Sequence, residues 1–370
     1  MKRKKVLLSA YVNQNLGDDL FVKIVCERYP NVIFILTGEM EHKRAYRSIP
    51  NLKFVSDNTL LIKVICKFTN IIKKIRKKPM IYRNKLLLNI LSAHYKINIL
   101  IGGSIFNETS TRLSELEMEQ KWYKRHPYII GCNFGPYSTK RFYEYCVQSF
   151  REATQVSFRD RYSYELFKEL KNVSLATDVG FSLVHRTKDL GYYVFSVLDL
   201  SIVDYGRSKK FHKDYLEKIL EIVNVLLASN KTVYIVSFCN PQGDMNSVNH
   251  IVKTVNSSSR VKPFSYEEEG MDKTLELLAN AEGIVATRFH ALVLGILFQK
   301  KVLPIMYSNK MKHLLDDLQI KDKTYSIPEF TNENTDKLMK NFLDMSKIDV
   351  DKLKQLSCSQ FNKLDQVLLE

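Results

Sequence analysis

Short apolar runs alternate with stretches of helical periodicity along the whole chain, and this alternation most narrows the folds open to it. The runs at 5–12, 32–37, 97–101, 127–131, 155–158, 192–197, 232–238, 283–286 and 301–306 are rich in Val, Ile and Tyr. Several are near-continuously apolar, as strands buried on both faces of a parallel sheet are. Helical patterns lie between them, at 18–29, 140–153, 161–171, 211–229, 271–281 and 290–299. Such alternation predicts an α/β protein with parallel sheets. A chain of 370 residues suggests two domains. The pattern breaks at 185–191 (HRTKDLG), and a fresh strand, a long helix and another strand follow. We therefore expect two Rossmann-like α/β domains, 1–187 and 188–340, with a helical tail at 341–370. Open α/β sheets bind ligands beyond the carboxyl ends of their strands, so two facing sheets would place a site in the cleft between them.

Composition excludes the main alternatives. Hydrophobic residues make up 45% and charged residues 26%, which argues against a disordered chain or a rod. No apolar run approaches the roughly 18 residues of a membrane span. The N-terminal Lys2-Arg3-Lys4-Lys5 and VLLSAYV faintly mimic a signal peptide, but the run stops at Asn13 without a cleavage site, so a first strand is expected. The six scattered cysteines form no Cys-x-x-Cys and read as thiols of a reducing, cytoplasmic compartment. The eight histidines form no His-Glu-x-x-His, so no built-in metal site is expected. The net charge of +16 biases partners towards anions.

Segment 60–91 stands apart. Leu61, Ile62, Val64, Ile65, Phe68, Ile71, Ile72 and Ile75 recur at helical spacing, interleaved with Lys63, Lys67, Lys73, Lys74, Arg76, Lys77 and Lys78. Residues 61–85 carry nine Lys/Arg and no acid, which is +9 of the net +16. One reading is an amphipathic helix packed on its domain with a solvated basic face. The other is a surface for anionic lipid, which would make the protein peripheral on the inner face of the membrane. Nucleic acid is not expected as a partner, because the aromatic residues are not concentrated here as base stacking would want.

Five strand ends follow a common pattern, in which a strand leads into a Gly or polar cluster and then a helix start. Asn15-Leu16-Gly17-Asp18 offers a tight turn at Gly17 and a helix cap at Asp18. Gly102-Gly103-Ser104 exposes backbone N–H groups at a helix N-terminus, which suits an anion. It is neither a P-loop nor a dinucleotide fingerprint. Asn133-Phe134-Gly135-Pro136 and Arg159-Asp160-Arg161-Tyr162-Ser163 follow two further strands. Arg159 could face a ligand or simply pair with Asp160 or Asp178. Arg288-Phe289-His290-Ala291 follows the strand at 283–286. An isolated histidine is most often a satisfied core residue; beside an arginine at a strand-to-helix junction it reads as a phosphate clamp with a proton-transfer group. Tyr307 and Lys310 follow the next strand, and Gln242-Gly243-Asp244 ends the strand at 232–238.

Taken in order with Asp178, these loops resemble the polysaccharide pyruvyl transferase family, from about residue 5 to 315, without segment 60–91 or the tail. Ser104 departs from the third glycine that the family often has. The resemblance implies a glycosyltransferase-B-like fold. It implies transfer of pyruvate from phosphoenolpyruvate, the donor substrate, onto a sugar acceptor as a cyclic ketal, without a cofactor. The sugar would belong to a capsule, exopolysaccharide or cell-wall precursor, often a lipid-linked oligosaccharide. It also points to His290 and Arg159 as active-site positions. The donor's charge asks for cations, for which Arg288 and Arg159 are expected, with Lys310 a weaker candidate, and for a group that gives and takes protons, for which His290 is expected. Asn15, Gly17, Asp18, Gly102, Gly103, Ser104, Asn133 and Gly135 would line the substrate. A nucleotide-sugar glycosyltransferase is the nearest rival, although Glu267-Glu268-Glu269 reads as a solvated loop rather than its acidic site. A basic membrane- or nucleic-acid-binding protein without catalysis is the remoter one.

Overall fold

The computed structural model describes residues 3–76, 80–109, 111–202, 208–255, 259–320, 323–344 and 348–369. The chain divides into two compact units. The first comprises Met1–Asn13, Asp18–Val179 and Gln355–Glu370; the second comprises Gln14–Gly17 and Gly180–Lys354.

The first unit holds a parallel sheet of β1 (Lys5–Ala10), β2 (Ile33–Gly38), β3 (Leu52–Ser56), β4 (Ile97–Ile101), β5 (Tyr128–Cys132), β6 (Gln155–Phe158) and β7 (Val173–Leu175), in the order β3-β2-β1-β4-β5-β6-β7. The second holds β8 (Tyr193–Ser196), β9 (Val233–Ser237), β10 (Val261–Ser265), β11 (Gly283–Ala286), β12 (Lys301–Met306) and β13 (Tyr325–Ser326), in the order β10-β9-β8-β11-β12-β13. All pairings are parallel, as the apolar runs predicted. Each sheet begins with the doubly wound 3-2-1-4-5-6 order, whose direction reverses between β1 and β4 and again between β8 and β11. Crossover helices cover the strands, so residues such as Val6, Leu7, Leu8, Val194, Phe195 and Ile284 are wholly buried. In the first unit Phe150 meets Phe106, Phe158 and Phe167 edge-on at centroid distances of 4.8, 5.5 and 4.9 Å.

The expected domain limits need adjusting. Residues 180–187 fall in the second unit, and the expected tail 341–370 is divided: 341–354 goes with the second unit and 355–370 with the first. The reason is specific bonding. Gln360 Nε2 donates to Thr177 O at 2.6 Å, Gln155 Nε2 donates to Gln360 O at 2.8 Å, and Arg28 pairs with Asp365. Segment 60–91 is two helices, Leu60–Ile75 and Arg83–Ser92, rather than one; the basic residues Lys77 and Lys78 lie outside the described residues. Among the described residues no helix is long and apolar enough to cross a membrane.

Candidate active site

In the second unit the candidate residues gather where β11 ends. Arg288 occupies the N-cap position of helix Phe289–Leu297. Its backbone N–H donates to Ser196 Oγ at 3.2 Å, which ties the turn to the end of β8. Its guanidinium grips the Asp244 carboxylate with two donors, Nε at 2.9 Å to Oδ2 and Nη2 to Oδ1, and Nη1 donates to Gln242 Oε1. Asp244 Oδ2 also accepts the N–H groups of Phe238 and Cys239, each at 3.0 Å. Both residues of the pair are buried. Burial lowers the Arg288 pKa, but the Asp244 carboxylate more than offsets it, so the guanidinium stays charged. The expected phosphate clamp is therefore already occupied by a carboxylate. Arg288 welds the 241–244 loop to the end of β11, and the pair together is neutral.

His290 lies in the first turn of the same helix. A Cβ placed on Gly17 would sit 1.7 Å from His290 Nδ1, so the imidazole packs directly against the Gly17 backbone. Only glycine permits that approach. Leu16 N–H donates to Phe238 O at 3.2 Å, and Gly17 N–H donates to Asn15 Oδ1 at 3.0 Å. Asn15, rather than the expected Asp18, thus caps helix Leu16–Arg28, and Asp18 lies within its first turn. Asp18 belongs to the first unit. Phe289 stands edge-on to His290 at 5.1 Å, and Lys310 Nζ lies 5.5 Å from the ring centroids of both Phe289 and Tyr307. His290, Gly17, Asn15, Arg288 and Lys310 are thereby brought into one unit, at the start of a helix whose dipole favours negative charge.

A cluster that the strand-end motifs did not include borders it. Asp199, just past β8, accepts from Ser201 N–H at 2.9 Å and from Asn246 Nδ2 at 2.9 Å, and His212 Nδ1 lies 3.6 Å from its carboxylate. Burial works to raise the Asp199 pKa, but the bonds from Ser201 and Asn246 outweigh it and hold the carboxyl below the usual range. Burial keeps the His212 pKa below its ordinary 6.5 despite Asp199. Gly243, at φ +82°, lets the 241–244 loop pass here, since a Cβ would lie 2.5 Å from Ile202 Cδ1. The available signal was a polar residue at the end of an apolar strand, as at the other loops.

In the first unit a second cluster forms around Arg159. Its Nη1 donates to Asp178 Oδ2 at 2.8 Å, and Nη2 donates to Asn133 Oδ1 at 2.6 Å and to Ser104 Oγ at 3.4 Å. Ser104 Oγ donates to Asn133 Oδ1 at 3.2 Å, so the hydroxyl that departs from the family glycine is part of this network. A Cβ on Gly103 would lie 2.4 Å from Arg159 Nη1. Asn133 N–H donates to Gly103 O at 3.0 Å, and Gly135 N–H donates to Phe106 O at 2.7 Å, which locks the loops after β4 and β5 together with Gly102 beside them. Of the two acids open to it in the sequence, Arg159 pairs with Asp178; like Arg288, it holds a buried carboxylate.

A sequence model described as polysaccharide pyruvyl transferase matches residues 15–309, more than three quarters of the chain. The chain belongs to the polysaccharide pyruvyl transferase family. The matched range contains the Arg159 cluster of this family member and Asn15, Gly17, Arg288 and His290; Lys310 lies one residue beyond it. A search of curated protein sequences finds no match. Among solved structures, the chain is similar to UDP-GlcNAc 2-epimerase of Methanocaldococcus jannaschii in complex with UDP-GlcNAc and UDP, at 11% identity and TM-score 0.53, covering 99% of each chain. It is similar to Anabaena Alr3699/HepE in complex with UDP, at 9% identity and TM-score 0.52, also covering 99% of each. The UDP-GlcNAc 2-epimerase of Neisseria meningitidis bound to UDP-GlcNAc gives 8% identity and TM-score 0.56, over 98% of this chain and 100% of that one. At these identities the likeness concerns the fold: the transferase has the two-domain, glycosyltransferase-B-like α/β architecture expected of it.

Proposed function

We propose that this transferase moves pyruvate from phosphoenolpyruvate onto two hydroxyls of a sugar, as a cyclic ketal. The acceptor we propose is a lipid-linked precursor of a capsule, exopolysaccharide or cell-wall polymer, met at the cytoplasmic face of the membrane. The observation that carries the reading is the packing of His290 on Gly17 at a helix N-terminus with Lys310 nearby. It joins the first and last family motifs around one acid–base group.

The chemistry follows from charge and proton accounting. Phosphoenolpyruvate brings about three negative charges, and the neutral Arg288–Asp244 pair cannot balance them alone. The net positive field then comes from Lys310, protonated His290 and the helix N-terminus. Arg288 and Arg159 act as positioning residues that hold the loops. Protonated His290 gives its proton to the methylene carbon while a sugar hydroxyl attacks the neighbouring carbon; His290 takes that hydroxyl's proton back. The carbon–oxygen bond to phosphate breaks, the second hydroxyl closes the ketal, and its proton leaves with the phosphate.

The test is phosphate release from phosphoenolpyruvate in the presence of a panel of sugars and oligosaccharides, with the ketal identified by mass. His290→Ala should fold and lose turnover by at least about 10²-fold. Near-normal turnover in that variant removes His290 from the mechanism. A nucleotide-sugar transferase remains the second reading, because structures of similar fold hold UDP or UDP-GlcNAc. Glycosyl transfer from a UDP-sugar, with no phosphate release from phosphoenolpyruvate, would establish it instead.

A further inference from the structure

Helix Leu60–Ile75 is mounted with its apolar side outward. Its packed side is narrow and mixed: Ile62 and Cys66 are buried, Ile65 lies against the same small core, and Asn70 bonds the backbone of Ile81 in both directions, at 2.7 and 3.1 Å. At 100° per residue the opposite side carries Leu60, Leu61, Val64, Phe68, Ile71, Ile72 and Ile75 in one arc. All seven are exposed, from 43% at Val64 to 78% at Leu60. Met80 and Tyr82, just beyond the helix, are exposed as well. The packing expected of an amphipathic helix, apolar side on its own domain, is thus reversed.

We propose that this face is a docking surface for an anionic phospholipid membrane. Single exposed apolar residues are ordinary, but seven on one face of one helix are not. The occupant is set by charge. The helix contains Lys63, Lys67, Lys73 and Lys74 and no Asp or Glu. Lys63, Lys67 and Lys74 border one side of the apolar arc and are exposed. A second copy of the chain meeting this face would present the same lysines and no acid of this helix to pair with them. An anionic bilayer accepts the apolar arc among its acyl chains and the lysines among its headgroups. The helix spans about 24 Å at 1.5 Å per residue and would lie in the interface rather than cross it. The surface does not depend on the pyruvyl transfer reading; if both hold, it brings the enzyme to a lipid-linked acceptor.

Co-sedimentation of the full chain with vesicles tests this directly. The protein should pellet with vesicles of 30% phosphatidylglycerol in phosphatidylcholine and stay largely in solution with phosphatidylcholine alone. The variant L61Q/F68Q/I75Q, changed only at exposed positions, should melt as the wild type does and lose the pelleting. The variant K63Q/K67Q/K74Q should bind anionic vesicles on the order of 10²-fold more weakly, given the contribution of each cation near such a surface. Wild-type protein that ignores anionic vesicles overturns the proposal, as does equal pelleting of L61Q/F68Q/I75Q. A wild-type dimer that this variant converts to monomer would assign the face to a second copy and overturn it too. None of these readouts involves phosphoenolpyruvate, so their failure is separate from failure of the enzymatic reading.

Discussion

Arg288 shows how a residue can be rightly singled out and its task differ. An arginine at a strand end suggests a ligand clamp, yet its carboxylate partner, Asp244, opens a helix 44 residues away. Removing one member of a buried pair strands the other charge. Arg288→Ala should therefore cost about 3–5 kcal/mol in urea unfolding, and Arg288→Lys should recover little, because lysine lacks the two-pronged donor geometry. A mainly catalytic Arg288 would instead leave stability unchanged. At Gly17 the prediction is the reverse. A methyl group would sit 1.7 Å from His290 Nδ1, and a ring can swing aside more cheaply than backbone can. Gly17→Ala should melt near the wild type and lose turnover by about 10²-fold or more, the acid–base contribution of the displaced histidine. Full activity in Gly17→Ala would show that the packing is incidental. The candidate residue types were legible because Gly, Arg and His after an apolar strand are conspicuous. Their pairings were not, since the sequence offers Arg159 both Asp160 and Asp178, and nothing local links Arg288 to Asp244.

Legibility at the level of elements depended on where a strand sits in its sheet. The nine strands expected from apolar runs are all present. The four not anticipated, β3, β7, β10 and β13, are the four edges of the two sheets. An edge strand has one neighbour and an open side, so it needs no continuous apolar run. Polar bonding at the opposite strand ends has a measurable consequence. Glu282 accepts from Tyr193 Oη at 2.6 Å, from Lys231 Nζ at 2.6 Å and from Lys301 Nζ at 3.1 Å, tying β8, β9, β11 and β12 together. Burial raises the Glu282 pKa, but these bonds reverse that and bring it from 4.5 to about 2. A depressed carboxyl pKa stabilises the fold above the unfolded value and loses that contribution as pH falls. Stability should therefore drop between about pH 4.5 and pH 2, and Glu282→Gln should flatten that part of the profile. An unchanged acid slope in Glu282→Gln would show that other carboxyls govern it.

The two-unit α/β plan of the whole molecule was legible because it rests on periodicity repeated over the chain. The limits of the units were less so, because the C-terminal segment is assigned by a few long-range bonds that leave no local trace. Phe361 and Leu364 on that segment are fully buried. Deleting 355–370 should cost at least about 3 kcal/mol from those two side chains at roughly 1.5–3 kcal/mol each, seen as a lower urea midpoint. A midpoint that does not move would mean the segment is an accessory. The central claim, that this family member binds phosphoenolpyruvate at the His290 and Lys310 site, is tested most directly by ligand-dependent thermal stability. Phosphoenolpyruvate, UDP and sulfate would be compared on the wild type and on Lys310→Ala, a change that leaves the buried Arg288–Asp244 pair intact. A ligand at about 100 times its Kd adds roughly 2.7 kcal/mol, a readily visible shift. The account predicts stabilisation by phosphoenolpyruvate beyond that by sulfate, largely lost in Lys310→Ala. Stabilisation by UDP alone, or an equal response to all three ligands, would contradict it.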